Sequence, residues 1–437
     1  MKTINKKGGK VIGSGGFGCV FRPALQCKNG IRPTNHITKL LEKKYAEQEY
    51  HDILKFRPFL QKIPHYTNYF ILEDIEICPI EELTPSDKEN IDQCEKVLNS
   101  SQSQRKKIKQ EELSIDLNNL LAIQMPYGGF DIGDYINQPH NNYLTTFKKI
   151  NNALIQLLTK AIVPMNQKMH IYHADIKESN ILFDGKHARL IDWGLSFLYN
   201  PNNPNTPIPT EMNYKSFQYN LPFSSILLTE KFEEKKREFL EQFPNPSTND
   251  WQSFVRKYIA YWNDYRGSGH METIKEVFYI LFEHLERKLS EKERKHVVEE
   301  KYTKPIIVQY LTTILLTYSN NIGEYFQNVY LNNLDVYGWI MTYLPLYQYF
   351  YSLKTSTKRE TYIMEYLRSI LSRYLFQYSV LPIPVDSLVK ELNQLFSNLT
   401  TITRTRTKKR NSNSNNKTFK LPSSVLNISR VMTGMDF

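Results

Sequence analysis

The chain has 437 residues, of which 41% are hydrophobic and 23% are charged, and its formal net charge is +11. This length and balance exclude a disordered or fibrous protein and allow two hydrophobic cores, or one catalytic domain with insertions. The positive charge favours acidic proteins, anionic membranes or nucleic acid as partners without assigning a function.

The first 125 residues are predicted to form a small β-rich region. Short strands are predicted at residues 10–12, 19–22 and 37–41, with a glycine-rich turn after the first strand. A helix is predicted over residues 42–56, because Pro58 stops it.

The next segments are predicted from their apolar spacing. Residues 69–77 alternate like a strand, and the apolar run at residues 120–125 indicates a buried strand. Between them, residues 80–116 carry few large apolar side chains. We therefore predict a loop-like or partly helical insertion there.

The rest of the chain is predicted to be mainly helical. A helical pattern covers residues 144–169, and two short strands follow at residues 181–183 and 188–191. Residues 195–222 contain several Pro and Asn residues and are predicted to form an extended loop. Helices then predominate to about residue 399.

The tail, residues 400–437, is rich in Thr, Ser, Asn, Lys and Arg and is predicted to be disordered. Basic side chains cluster between Arg404 and Arg410. Nucleic acid or another polyanion is therefore a candidate partner of this tail.

The cysteines and the apolar runs bear on location. Cysteines at positions 19, 27, 78 and 94 have neither the spacing of a zinc site nor the density of a disulfide scaffold, which favours a reducing compartment. The N-terminus lacks the apolar run of a signal peptide, and the most apolar stretches are short and interrupted by polar residues. We expect a cytoplasmic monomer without a membrane span.

The first motif is a glycine-rich run. Residues 13–20, Gly-Ser-Gly-Gly-Phe-Gly-Cys-Val, fit the pattern G-x-G-x-x-G-x-V. Such glycines let the backbone approach phosphate groups closely, although a plain glycine-rich turn is a commoner origin of such a run. A dinucleotide-binding fold needs a helix directly after the glycines, whereas residues 19–22 are predicted to be a strand. The pattern therefore favours a kinase-type phosphate flap.

Two further motifs place acidic and amide side chains in order. Residues 173–180, His-Ala-Asp-Ile-Lys-Glu-Ser-Asn, put Asn180 five positions after Asp175. Such a carboxylate can orient a substrate hydroxyl while the amide oxygen binds a metal ion. Farther on, Asp192 begins the triplet Asp-Trp-Gly, and its carboxylate can hold magnesium against nucleotide phosphates. Each aspartate alone is more often a turn cap, but the three motifs in this order indicate phosphoryl transfer.

These segments resemble the His-Arg-Asp loop and the Asp-Phe-Gly triplet of the protein kinase superfamily, Ser/Thr type. Together with residues 217–223, Phe-Gln-Tyr-Asn-Leu-Pro-Phe, they resemble the divergent kinases of large cytoplasmic DNA viruses. The resemblance implies a bilobal α+β fold, with a β-rich lobe over residues 1–125 and a helical lobe over residues 126–399. The two insertions would lie near residues 80–116 and 228–334.

The resemblance also implies the ligands and the location. ATP and Mg²⁺ would bind between the two lobes. The acceptors would be Ser or Thr hydroxyls of protein substrates, acidic proteins among them. If the chain is viral, the host cytoplasm or the virion is its expected location.

The resemblance assigns roles to individual residues. Lys39 corresponds to the lysine that contacts the α- and β-phosphates, and Glu47 or Glu49 to its partner on the following helix. Glu49 is favoured because the apolar Ile53 follows it one helical turn later. Asp335 resembles a buried aspartate that braces the catalytic loop. The implied catalytic residues are Asp175, Lys177, Asn180, Asp192, Lys39 and Glu49, with Asn180 and Asp192 as the magnesium ligands.

A second set is implied to bind ATP. Met125 corresponds to the gatekeeper, Pro126 and Tyr127 to the hinge whose backbone meets adenine, and Asp131 to a ribose contact. An aspartate at a helix start is, however, more often only an N-cap. The whole set comprises Ile12, Gly13, Ser14, Gly15, Gly16, Phe17, Gly18, Val20, Ile37, Lys39, Met125, Pro126, Tyr127, Asp131 and Leu182.

The sequence departs from the family at several positions. Ala174 replaces the arginine that reads a phosphate on the activation loop, which implies activity without phosphorylation there. Trp193 replaces phenylalanine at a packing position, and Ile37 replaces alanine at the roof of the adenine site. No Ala-Pro-Glu triplet is evident, and residues 220–222 lie near its place.

Other functions remain open. A pseudokinase that binds ATP as a scaffold and a kinase that phosphorylates small molecules are the two alternatives. Residues 228–334 are a candidate docking platform, although added helical bulk is the simpler interpretation.

Overall fold

The structure is a computed structural model that describes residues 9–14, 18–28, 30, 32–88, 91, 94, 117–201, 206–215, 217–353 and 357–408, without the side chains of residues 14, 214 and 397–408. Over these residues the protein is α+β, with a small antiparallel sheet near the N-terminus followed by a mainly helical region. The chain divides into two compact units: the first is Met1–Phe130 with Leu182–Gly194, and the second is Asp131–Ile181 with Leu195–Phe437.

A five-stranded antiparallel sheet organises the first unit, in the order β1-β2-β3-β5-β4. Its third strand pairs along its length with the fifth, so these two strands form the centre of the sheet. The strands are β1 (Lys10–Ser14), β2 (Gly18–Arg22), β3 (His36–Glu42), β4 (Glu76–Cys78) and β5 (Leu120–Pro126).

The register of this sheet places four residues on one face. Val20 lies opposite Lys39, and Ile37 lies opposite Met125. Because alternate residues of a strand point to the same side, all four side chains share that face. The other face carries a buried hydrophobic cluster that includes Cys19, Phe21, Leu40 and Ala122.

Helix α1 (Lys43–Leu60) follows β3 without a loop and continues past the predicted stop at Pro58. A proline in the last turn removes only one backbone donor, and the buried Phe56 and Leu60 hold that turn in place. The strand predicted at residues 69–77 is wrong for most of its length, since only β4 is a strand. A short 3-10 helix, Tyr66–Asn68, precedes it.

The four cysteines form two disulfide bonds in the first unit. Cys19 pairs with Cys94 and Cys27 with Cys78, with Cα separations of 5.7 and 5.8 Å. No local pattern indicates this pairing, because the partners are 75 and 51 residues apart and meet only in the folded chain. The cysteines are thus paired, and their spacing carries no information on the compartment.

Short strands mark the segments around the three sequence motifs. β6 (Phe130–Asp131) precedes the first helix of the second unit, and β8 (Ile181–Phe183) and β9 (Ala188–Leu190) are neighbouring strands. In the second unit β7 (Ile171–Tyr172) pairs antiparallel with β10 (Phe197–Leu198). The predicted loop at residues 195–222 thus contains a strand, and also a 3-10 helix, Thr210–Tyr214.

The second unit is otherwise helical, and buried aromatic side chains such as Trp262, Phe278 and Tyr325 lie in its interior. Residues 228–334 are mainly helical, as predicted. The helices are α2 (Ile132–Asn137), α3 (Tyr143–Leu157), α4 (Val163–Met169), α5 (Glu230–Gln242), α6 (Thr248–Arg266), α7 (Gly269–Phe282), α8 (Glu291–Val298), α9 (Lys304–Tyr318), α10 (Ile322–Tyr325), α11 (Leu331–Met341), α12 (Leu344–Ser352), α13 (Lys358–Phe376) and α14 (Val385–Lys408).

The C-terminal helix is longer than predicted. α14 continues to Lys408, whereas the sequence predicted a disordered tail from residue 400. The remaining tail, residues 409–437, lies outside the described residues. Among the helices that the structure describes, none has the length and apolar character needed to cross a membrane.

Candidate functional site

The structure brings the predicted residues together in two groups, one in each unit. In the first unit, Lys39 Nζ donates a hydrogen bond to Glu49 Oε2 at 2.6 Å, and the side chains are 27% and 17% exposed. Strand β3 runs directly into α1, which fixes the spacing of this ion pair. The other candidate partner, Glu47, lies 3.9 Å from Lys43 on the exposed side of the helix. Lys39 therefore pairs with the glutamate that the helical spacing favoured.

Asp192 adds a second carboxylate near Lys39. Burial lowers the pKa of the Lys39 ammonium group, but the carboxylates of Glu49 and Asp192 outweigh this effect and hold the pKa above its usual value. Lys39 is thus a cation at neutral pH. We call Lys39, Glu49 and Asp192 the lysine cluster.

The backbone at Asp192 is held in an uncommon conformation. Its φ angle is 70°, in the left-handed region that non-glycine residues rarely adopt. The next residue, Trp193, is buried, and its ring centroid lies 5.7 Å from those of Phe56 and Phe70. The packing role expected of Trp193 is therefore present, and it anchors the segment that carries Asp192. Strained backbone of this kind concentrates at functional sites.

The predicted adenine-binding side chains lie beside Lys39. Val20, Ile37 and Met125 share its face of the sheet. Gly18 has a structural explanation, since a Cβ there would overlap the carbonyl oxygen of Leu40 on the neighbouring strand.

The rest of the glycine-rich run is described only in part. Ile12 is 50% exposed, and Gly13 lies opposite Val20. Residues 15–17 and the side chain of Ser14 lie outside the described residues. The phosphate contacts predicted for Ser14, Gly15, Gly16 and Phe17 remain predictions.

One hydrogen-bonding group of the predicted hinge has a partner within the protein. The backbone N–H of Tyr127 donates to the carbonyl oxygen of Asn35 at 3.0 Å, so this group is engaged within the protein. A Cβ on Gly128 would lie 2.7 Å from Leu182 Cδ1, and Gly129 has a φ angle of 107°. A Cβ on Gly129 would overlap the carbonyl oxygen of Phe183, so glycine is needed there for the chain to pack against this strand, β8.

Asp131 acts as a helix cap. Its Oδ1 accepts a hydrogen bond from the N–H of Asp134 at 2.8 Å at the start of α2. Burial is the main cause that raises the pKa of the Asp131 carboxyl above its usual value. The capping alternative is thus the observed role, and a ribose contact remains a prediction.

In the second unit, three side chains donate to the carboxylate of Asp175. Lys177 Nζ and Asn180 Nδ2 lie 2.9 and 3.0 Å from Oδ2, and Asn220 Nδ2 lies 2.9 Å from Oδ1. Asp175 is buried, so these charge-assisted hydrogen bonds replace the water it has lost. We call Asp175, Lys177, Asn180 and Asn220 the aspartate cluster.

Asn180 is oriented in a way that suits a metal ligand. Its amide nitrogen also donates to the carbonyl oxygen of Asp175 at 2.8 Å, so both amide hydrogens point toward Asp175. Within the part of the chain that the structure describes, its Oδ1 accepts no hydrogen bond, and neither does the exposed carboxylate of Asp192. An amide oxygen and a carboxylate suit Mg²⁺, which keeps waters and substrate phosphates as its other ligands.

No described group of three or more His, Cys, Asp or Glu side chains has the arrangement of a metal site. A magnesium ion held by one carboxylate and one amide with substrate phosphates does not require such a group. Asn180 and Asp192 each carry an oxygen of the kind that Mg²⁺ prefers, so the donor chemistry of each residue fits the ion.

Asp335 braces the loop before Asp175 as predicted. Its carboxylate accepts from the backbone N–H groups of His173 at 2.9 Å and Ala174 at 2.8 Å. Asn166 also donates to it, at 2.7 Å. Ala174, like Asp192, has a left-handed φ angle, here 58°. The bracing holds this strained residue directly before Asp175.

Comparison with known proteins finds no family model that matches the chain, and no curated protein matches it. We therefore infer the function from the chemistry of the lysine cluster and the aspartate cluster.

Sequence reasoning missed two residues of the second unit. Asn220 was noted only as lying near the place of a missing motif, yet it donates to Asp175 from 45 residues away. Gly338 on α11 was not singled out in the sequence. A Cβ there would lie 2.5 Å from the carbonyl oxygen of Ile176, so glycine is needed for the helix to approach this loop. Neither contact has a local signal in the sequence.

Proposed function

We propose that the chain is a Ser/Thr protein kinase that transfers the γ-phosphate of ATP to hydroxyl groups of protein substrates. The observation that carries the proposal is the carboxylate of Asp175, which is held by donors on both oxygens. A carboxylate oriented in this way can align a hydroxyl and accept its proton as the oxygen attacks phosphorus. The resemblance of its motif to the kinase loop supports the same role.

The nucleotide contacts are assigned to the first unit. The charged Lys39, fixed by Glu49, would bind the α- and β-phosphates, and a Lys–Glu pair of this kind is a required part of kinase sites. Val20, Ile37 and Met125 offer an apolar surface to adenine beside it. These side chains position the nucleotide, which is the main task of the protein in phosphoryl transfer.

In the proposed reaction, the γ-phosphate passes from ATP to a hydroxyl group of the substrate. The substrate oxygen forms a bond to the γ-phosphorus, the bond to the β,γ-bridging oxygen breaks, and ADP leaves. Asp175 receives the hydroxyl proton, and Lys177 supplies positive charge next to it. Asn180 and Asp192 would hold Mg²⁺, which neutralises charge on the phosphates when bound.

The proposal includes the expected protein acceptors and a cytoplasmic location, both of which rest on the family resemblance. Purified protein should be incubated with labelled ATP, Mg²⁺ and mixed protein acceptors, and the phosphorylated sites should be mapped. We expect phosphate on Ser and Thr residues. Transfer only to small molecules would indicate the small-molecule alternative, and ATP binding without any transfer would indicate a scaffold.

A further inference from the structure

Lys215 is a buried lysine that the sequence did not single out. It follows the 3-10 helix Thr210–Tyr214 and is only 4% exposed. Its Nζ donates to the carbonyl oxygens of Ala174 at 3.2 Å and Leu195 at 3.1 Å. The ammonium group thus links three segments of the second unit, and one of them is the loop before Asp175.

The contact with Ala174 complements that of Asp335. Asp335 accepts from the N–H of Ala174, while Lys215 donates to its carbonyl group. The peptide groups on both sides of this left-handed residue are therefore held by hydrogen bonds. The second of these peptide groups joins Ala174 to Asp175. A change in that peptide would rotate the carboxylate relative to its donors, which matters because catalytic groups must be held closely in position.

The position of Lys215 also has an electrostatic meaning. Ala174 stands where the family has an arginine, so the loop lacks the cation that would read a phosphate. Lys215 supplies a cation from within the chain, and the carboxylates of Asp175, Asp335 and Glu211 face it. Burial lowers the pKa of Lys215 to about 8, against the opposing effect of these three groups.

We propose that Lys215 is a positioning residue that holds the peptide between Ala174 and Asp175 and thereby makes loop phosphorylation unnecessary. The inference rests on the proposed kinase function. The two hydrogen bonds from Nζ to the carbonyl oxygens of Ala174 and Leu195 are strongest while the amine is charged, so the enzyme weakens when Lys215 loses its proton.

The test compares Lys215→Met with Lys231→Met, a matched control at an exposed lysine on α5 that pairs with Glu234. At pH 7 we expect Lys215→Met to lower kcat by about tenfold or more, with the KM for ATP unchanged. The ratio of wild-type to Lys215→Met kcat should then fall toward one between pH 7 and 9.5. A merely structural anchor would not give this pH dependence.

Lys215→Arg covers the case in which the Met variant does not fold, because a guanidinium keeps its charge throughout this pH range. Its kcat should lack the wild-type decrease near pH 8. The inference is overturned if Lys215→Met is as active as Lys231→Met. It is also overturned if kcat of the wild type and kcat of Lys215→Arg depend on pH in the same way.

A stability measurement separates failure of the inference from failure of the proposed function. The pKa of Lys215 is about 8 in the folded chain and near 10.5 when unfolded, so its contribution to stability is present above pH 10.5 and is lost as the pH falls through about 8. The melting temperature of the wild type relative to Lys215→Met should therefore rise with pH above 8. If this rise occurs but the wild type transfers no phosphate, the buried lysine is verified while the kinase function and the positioning role both fail.

Discussion

Asn220 donates its amide hydrogen to Asp175 Oδ1 at 2.9 Å and also contacts the carbonyl oxygen of Ile176 at 3.2 Å. The loop that holds Asn220 thus fixes the carboxylate oxygen that Lys177 and Asn180 leave unbound. This pairing adds a residue from a distant loop to the catalytic proposal.

Asn220→Ala should lower kcat by about tenfold or more, because it removes a hydrogen bond to a charged group worth about 1.5–3 kcal/mol. Asn220→Asp should lower it further, since a second carboxylate would repel the carboxylate of Asp175 instead of donating a hydrogen bond to it. Kinetic assays check both, with Asn332→Ala on an exposed face of α11 as the control. An Asn220→Ala enzyme with full kcat would show that this contact is dispensable.

Asp175 and Asp192 should fail in different ways when replaced. Asp175→Ala should reduce transfer by about a hundredfold or more while leaving binding of Mg-ATP intact, because it acts on the hydroxyl. Asp192→Ala should abolish transfer and also reduce the magnesium-dependent thermal shift. Thermal shift with and without Mg²⁺ checks this, and equal shifts for both variants would contradict the assignment.

The ion pair of the lysine cluster offers an internal control on the same helix. Glu49→Gln should lower transfer by about tenfold, because Lys39 loses the partner that fixes its position. Glu47→Gln should leave activity unchanged, since the exposed pair with Lys43 contributes at most about 1 kcal/mol. Transfer assays on the two variants decide the matter, and a larger loss for Glu47→Gln would reverse the assignment.

Activity should not require phosphorylation of residues 195–216. Ala174 provides no guanidinium for a phosphate, and Lys215 already holds its carbonyl group. Phosphatase-treated enzyme should keep most of its rate. A severe loss that rephosphorylation of this segment restores would contradict the prediction.

The basic residues at the C-terminus should carry polyanion binding. Replacing Arg404, Arg406, Lys408, Lys409 and Arg410 with Gln should weaken binding to a DNA duplex and reduce its salt dependence. Substitution is preferable to truncation after Leu399, because α14 continues to Lys408. If an equal number of exposed lysines replaced on α5 and α8 has the same effect, net charge rather than the tail is responsible.

Sequence reasoning succeeded where the signal is local. The spacing of Asp175 and Asn180 and the helical position of Glu49 both follow from short-range geometry, and the structure shows each contact. The predicted strand at residues 69–77 failed because Tyr69, Phe70 and Leu72 are buried without forming a strand ladder, and burial alone produces the same apolar pattern.

Contacts between distant segments were beyond the reach of the sequence. Asn220 and Lys215 reach the loop around Asp175 from positions 45 and 41 residues away. A single sequence records no signal for such pairs, since the residues meet only after the strands, turns and loops between them have folded. The same reason applies to the cysteine pairs.

The two disulfide bonds are nested, since the bond between Cys27 and Cys78 lies within the span closed by Cys19 and Cys94. Once the inner bond has formed, the outer one closes a much shorter path than its own sequence separation, so it restricts the unfolded chain less than it would alone. Lys39 and Glu49 both lie within the inner ring. A single backbone cut between residues 28 and 77 would therefore leave the pieces covalently joined, with Lys39 and Glu49 still in one molecule.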